Sequence, residues 1–120
     1  MPPRVWSRHP RWKKPNKFGN IRTVQDGITF DSRKEAARYR TLKALLSTGQ
    51  IADLQVHPRF PLIVNQTLVC VYIADFSYID MRNGKSVVED VKSPITAKLS
   101  AYRIKKKLME ALHNITIREV

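Results

Sequence analysis

From Leu68 to Ile79 the chain reads Leu-Val-Cys-Val-Tyr-Ile-Ala-Asp-Phe-Ser-Tyr-Ile. Side chains alternate sides along a strand, which puts Val69, Val71 and Ile73 on one face and Cys70, Tyr72, Ala74 and Phe76 on the other. A strand apolar on both faces is expected to be covered on both. Such a chain folds as layers, with helices or a second sheet against a central one, so the pattern predicts an α/β or α+β domain. Within this run Asp75 is the anomaly. A carboxylate in such surroundings carries a large desolvation cost unless something pairs with it.

The flanking segments fill in the layers. Ile21 to Val24 and Ile28 to Phe30 surround Asp26-Gly27, a hairpin signal. Ser32-Arg33-Lys34-Glu35 opens a helical pattern in which Ala36, Tyr39, Leu42, Leu45 and Leu46 recur at helical spacing, and Gly49 suits the residue after its end. The spacing predicts a helix over about 32–48. Residues 54–64 read as a strand broken by Pro58 and Pro61, hence at an edge or irregular. Asn83-Gly84 signals a tight hairpin turn, with Ser86 to Lys92 returning. Residues 97–113 are helical, with Ala97, Ala101, Ile104, Leu108, Ala111 and Leu112 as the apolar face. Ile115 to Val120 suit a last short strand.

The 120 residues suit a single domain over 21–120, preceded by a basic arm over 1–20. The arm carries Arg4, Arg8, Arg11, Lys13, Lys14 and Lys17 without an acid, while Pro2, Pro3, Pro10 and Pro15 oppose a helix. Trp6, Trp12 and Phe18 lie among the cations, a pattern that suits phosphate contact and base stacking, or a solvated tail. The chain holds 22 Lys and Arg against 10 Asp and Glu, a formal charge of +12, which favours a polyanionic partner. No apolar run reaches the ~18 residues that span a bilayer, the start lacks the apolar stretch of a secretory signal, and Cys70 has no second cysteine to pair with. An intracellular protein is expected, with no membrane partner. His9, His57 and His113 are far apart in sequence, so a structural zinc site is not expected.

With so few acids, their placement matters. If Asn83-Gly84 forms a two-residue loop, Arg82 faces Lys85, Ser77 falls opposite Asp90, and Asp75 falls opposite Lys92. Residues two apart share a face, as do opposed residues, so Asp75, Asp90 and Lys92 converge on one side of the sheet. Two carboxylates on a buried face repel, and a Mg²⁺ ion relieves that while binding phosphate oxygens. The other reading is a structural ion-pair network in which Lys92 neutralises Asp75. Glu35 sits near the apolar stripe of its helix but also completes a capping box with Ser32. Glu89 points to the opposite face from Asp90 and competes for any acid role.

Asp75, then Asp90-Val91-Lys92, with Glu35 on an earlier helix, resembles the PD-(D/E)XK nuclease superfamily. Phe30-Asp31-Ser32-Arg33-Lys34-Glu35-Ala36, Tyr72-Ile73-Ala74-Asp75-Phe76 and Val88-Glu89-Asp90-Val91-Lys92 together look like a group of small phage-encoded proteins within it, over roughly residues 17–120. Ala74 stands where the superfamily name has Pro, and Asp90 where Glu is commoner. The resemblance implies a restriction-endonuclease-like αβββαβ core with a central mixed sheet flanked by helices. It also implies a Mg²⁺-dependent DNA endonuclease, with Mn²⁺ able to substitute and no small-molecule cofactor. Asp75, Asp90 and the Val91 carbonyl would bind the ion, Glu35 would do so through water, and Lys92 would act on water or phosphate. Tyr102, Lys105, Lys106 and Lys107 would join the arm in contacting DNA. Small relatives of this kind suggest branched DNA such as Holliday junctions, a homodimer, and the bacterial cytoplasm as the setting. A DNA- or RNA-binding protein without catalysis is the alternative.

Overall fold

In the computed structural model, residues 21–120 are described; the basic arm and its tryptophans lie outside them. The chain divides into two units, Met1–Ala37 and Arg38–Val120.

In the first unit, β1 (Thr23–Gln25) and β2 (Ile28–Phe30) form the expected hairpin, with Gln25 opposite Ile28. Asp26 and Gly27 both take positive φ, at 53° and 75°. Those angles define the turn whose twist matches a hairpin. Helix α1 (Arg33–Ser47) then starts at Ser32, whose Oγ accepts the Glu35 backbone N–H at 3.1 Å. Ser32→Ala removes that cap and should cost about 1 kcal/mol of stability, read in a urea melt; an unchanged midpoint would show that the bond carries nothing.

In the second unit, α1 ends where Gly49 adopts φ 80°. There the N–H groups of Gly49 and Gln50 take the Leu46 and Leu45 carbonyls at 3.1 and 3.0 Å. A left-handed residue that satisfies the last carbonyls in this way is a common helix stop. The sheet strands are β3 (Ile51–Val56), β6 (Phe76–Asp80), β7 (Lys85–Asp90) and β8 (Arg118–Glu119), in the order β3-β6-β7-β8. The first three are antiparallel, and β8 runs parallel to β7 after helix α2 (Ser100–His113). A hairpin of β4 (Arg59–Val64) and β5 (Thr67–Ile73) is inserted between β3 and β6. With that insertion set aside, the order from α1 onward is αβββαβ around a mixed sheet, the expected architecture.

Each of the two long strands expected over 54–64 and 68–79 is broken, and the breaks face each other. His57 N–H donates to the Asp75 carbonyl at 2.9 Å, and Ala74 N–H donates to the Pro58 carbonyl at 3.1 Å. Pro58 has no N–H to continue the ladder. Asp75 turns its own N–H toward β7, reaching the Glu89 carbonyl at 3.1 Å and Asp90 Oδ1 at 3.0 Å. Among the described residues the β4–β5 hairpin therefore pairs only with itself, and the double-sided burial expected for 68–79 holds only in part. Tyr72, Ala74 and Phe76 are buried, whereas Val69 is 55% and Ile73 46% exposed.

The core of this unit gathers Leu62, Tyr72, Ala74, Val88, Tyr102, Met109 and Ile117. Helix α2 thus faces inward through Tyr102 and Met109, while Ile104 and Leu112 of the expected apolar face are exposed. Total apolar area alone does not orient a helix. The Tyr102 hydroxyl has a partner in Glu119 at 2.7 Å, and Met109 is fully enclosed. Tyr39 of α1 stacks on Phe76 at 6.4 Å between centroids.

The β6–β7 turn also departs from expectation. Asp80, not Arg82, lies opposite Lys85. The Asp80 carboxylate captures the Arg82 backbone N–H at 2.9 Å and its guanidinium at 2.9 and 3.1 Å. Its carbonyl accepts Gly84 N–H at 2.7 Å. Arg82 is thereby held inside a four-residue connection, and every cross-strand pair shifts by two residues from the expected register. No helix among the described residues is long and apolar enough to cross a membrane.

Candidate active site

A shift of two residues preserves the face on which each side chain lies, because the strand period is two. Asp90 therefore stays on the expected side of β7, now at the level of Asp75 rather than of Ser77. The two acids are tied through the backbone. Asp90 Oδ1 accepts the Asp75 N–H at 3.0 Å, and Asp75 Oδ2 accepts the Val91 N–H at 2.7 Å. The strand break frees the Asp75 N–H for this exchange.

Asp90 is 1% exposed, and its second oxygen, Oδ2, is buried without a hydrogen-bond partner. Lys92 Nζ stands 3.6 Å from it, an attraction at a distance too long for a good hydrogen bond. The ammonium is held there from below, 4.4 Å from the centroid of the Tyr102 ring. This is a cation–π geometry that fixes the charged head without neutralising it. Tyr102 is in turn anchored by Glu119, which also takes Lys106 Nζ at 2.9 Å. Burial and the Glu119 partner raise the Tyr102 hydroxyl above the ordinary tyrosine range, while the two donors lower Glu119.

Burial pushes the Asp90 carboxyl up to about 6, against the opposing pull of Lys92 and of the Asp75 N–H. The folded protein thus holds a proton on Asp90 more tightly than the unfolded chain, whose value is ~3.9. Stability accordingly falls as pH rises from about 4 to about 6, and the charged carboxylate costs on the order of 3 kcal/mol above that window. Asp90→Asn should raise the melting temperature in EDTA near pH 8, and the gain should vanish near pH 4. Equal melting temperatures at both pH values would show that the buried charge carries no cost. A buried carboxylate with one unsatisfied oxygen beside a second carboxylate fits a hard divalent cation, which takes oxygen ligands.

Glu89, the competing acid, lies on the other face. It is fully buried and receives Arg38 in two bonds of 2.9 and 2.6 Å. The Tyr78 hydroxyl also donates to it, and Arg118 stands 3.8 Å away. Its burial and Glu89 push the Tyr78 hydroxyl up to about 12. Glu89 is consumed by this network. Glu35 belongs to the first unit, at the third position of α1.

Of the other expected contact residues, Tyr102 is buried beneath Lys92. Lys106 and Lys107 line a groove with Arg103, Glu110 and Glu119, and Lys105 is half-buried. The six arm residues lie outside the described part.

One neighbour of the site is absent from the sequence expectations. A ring nitrogen of His57 and a carboxylate oxygen of Asp75 lie within 4.8 Å of each other, and Asp90 does not stand within that span of both. That proximity was not legible in the sequence, because a bulge between Leu62 and Ile63 shifts by one the pairing that a two-residue loop at Asn65-Gln66 would set. Both loop residues take positive φ, 49° and 67°, and close a hairpin in which Arg59 pairs with Ile73. Extending that ladder by two residues puts His57 across from Asp75.

A family model described as a protein of unknown function, DUF1064, matches residues 15–118. The chain belongs to the DUF1064 family. No curated protein and no solved structure matches it. For this DUF1064 member the match spans Asp75, Asp90 and Lys92 together with His57 and Glu89, so the site lies within the family's shared region.

Proposed function

We propose that this protein is a divalent-metal-dependent endonuclease of the PD-(D/E)XK kind, hydrolysing phosphodiester bonds in DNA. The observation that carries the reading is Asp90 Oδ2, a buried acid oxygen without a hydrogen-bond partner, set beside Asp75 and under Lys92. A buried charge that lowers stability is expected where a ligand later uses it. Asp75, Asp90 and the Val91 carbonyl would hold the ion, with Mg²⁺ or Mn²⁺ as the natural choices for oxygen ligands. When bound, such an ion supplies Lewis-acid polarisation of the phosphate and a more acidic water.

The protein's own residues do the rest. Lys92, fixed over Tyr102, presents a positive charge to a non-bridging phosphate oxygen, where negative charge grows as water adds. The groove that contains Arg103, Lys106 and Lys107 offers cations to the flanking backbone, as does the arm. The likeness to small phage proteins points to branched DNA as the substrate, in the cytoplasm of a bacterial host. One site per chain and two strands to cut call for a homodimer.

The ion pair between Lys92 and Asp90 favours a second reading, a nucleic-acid-binding protein whose acids serve only structure. Incubating the full chain with plasmid and with a synthetic four-way junction, in Mg²⁺ or in EDTA, separates the two. Cleavage of the junction in Mg²⁺ alone is the expected result. Retention of DNA without cleavage in either Mg²⁺ or Mn²⁺ would leave the binder reading standing and remove the enzyme.

A further inference from the structure

We propose that His57 is a direct metal ligand, sharing Asp75 to form a second cation position that prefers nitrogen-accepting transition ions over Mg²⁺. The proposal rests on the nuclease reading of Asp75 and Asp90 and adds an ion that the oxygen ligands alone do not explain.

The backbone places the ring. His57 holds φ 55°, a left-handed conformation that costs a residue with a side chain about 1 kcal/mol or more. It is kept there by its N–H bond to the Asp75 carbonyl at 2.9 Å. Pro58 follows and ordinarily steers the preceding residue to extended backbone, so His57 resists its neighbour as well as its own preference. The outcome is a ring nitrogen within 4.8 Å of an Asp75 carboxylate oxygen. Ligands of one transition ion at ~2.0–2.1 Å stand about 3.4 Å apart in a tetrahedral site and about 4.2 Å apart across the ion, so one ion can reach both donors with a small side-chain adjustment.

Asp75 has the capacity to serve two ions. Its Oδ2 accepts the Val91 N–H, and an ionised carboxylate has two oxygens with about four acceptor sites between them. On the Asp90 side stands the unsatisfied Oδ2 of a residue that is 1% exposed, a separate observation that suits a cation there. Among the described residues His57, Asp75 and Asp90 do not form one group within 4.8 Å, so the ion at His57 would be a second one, with Asp75 between the two. Paired ions that share a carboxylate are a recurring arrangement in phosphodiester hydrolysis. The position that includes His57 differs in donor chemistry. Imidazole suits Co²⁺, Ni²⁺ and Zn²⁺, whereas Mg²⁺ keeps to oxygen.

The test uses Co²⁺ and the full chain without DNA, followed by titration calorimetry and by the visible absorption of the ion. His57→Gly is the informative variant, because glycine accepts φ 55° without strain and offers no ligand. Wild type should bind one more Co²⁺ than His57→Gly, with affinity at that position falling by more than about 100-fold in the variant and the nitrogen-dependent part of the absorption lost. Asp90→Asn should keep the His57-dependent ion, and Asp75→Asn should lose it. Identical Co²⁺ stoichiometry and spectra for wild type and His57→Gly would overturn the proposal, and the nuclease reading would survive if Asp90→Asn still lost an ion. Failure of wild type to bind Co²⁺, Mn²⁺ or Mg²⁺ would overturn both.

Discussion

Lys92→Ala should reduce cleavage of DNA by about 10²–10⁴-fold, the range spanned by loss of one positioned proton-transfer or charge-stabilising group. The size of the effect follows from how firmly the ammonium is placed. Its side chain is 20% exposed, its head lies 4.4 Å from the Tyr102 ring centroid, and it approaches Asp90 Oδ2 to 3.6 Å. A group held there loses little entropy when it meets a phosphate. Alanine leaves the tyrosine and both acids in place, so binding of Mn²⁺ near pH 8 should persist. Measurement well above the Asp90 value of about 6 matters, because removal of Lys92 takes away an attraction that keeps Asp90 charged. Single-turnover cleavage of a four-way junction is the readout. A variant that cuts at the wild-type rate would sink the assignment of Lys92, and Lys92→Arg should not restore activity, since a planar fork does not fit a space shaped for a point charge.

Glu89→Gln should destabilise the protein by about 3–5 kcal/mol, the usual result of removing one member of a buried ion pair and leaving the other. Glu89 has no exposed surface and accepts two bonds from Arg38, one from Tyr78 and the attraction of Arg118. Glutamine conserves the shape but strands Arg38, whose guanidinium Glu89 raises. For a domain of this size the loss should lower the melting temperature by more than about 10 °C. Asp90→Asn is expected to move it the other way in EDTA, so two adjacent acids should show opposite signs. That contrast assigns roles without an activity assay. If Glu89→Gln melts like wild type and yet fails to bind metal, the roles of the two acids are exchanged.

Much of the arrangement follows from local pattern. The Asp26-Gly27 hairpin, the extent of α1 and its stop at Gly49 rest on turn and capping chemistry that acts within a few residues. The shared face of Asp90 and Lys92 rests on strand parity, and it survived a two-residue change of register because parity is indifferent to even shifts. The register itself was not legible from Asn83-Gly84. It was set by Asp80 capturing Arg82, and a side chain that captures the backbone beyond it reads in sequence as one more charged loop residue. The inward face of α2 differs from its apolar stripe for a similar reason. Ile104 and Leu112 are more apolar than Tyr102, but only Tyr102 has a partner for its hydroxyl in Glu119 and a cation above its ring.

Local pattern is enough to establish that Asp75 interrupts an apolar strand, that Asp90 and Lys92 share one side of the next, and that the chain is basic enough to favour a polyanion. These are consequences of alternation and composition, which need no partner from elsewhere in the chain. Long-range packing is what makes Asp75 exchange backbone bonds with Asp90, spends Glu89 on Arg38 and brings His57 to the side of Asp75. Each of these depends on where a distant strand or helix ends. Such endpoints were fixed by Pro58 lacking a donor, by the strand break at Asp75 and by Asp80 closing its turn. The carboxylate that looked like an anomaly in an apolar run is thus the hinge at which two broken strands meet.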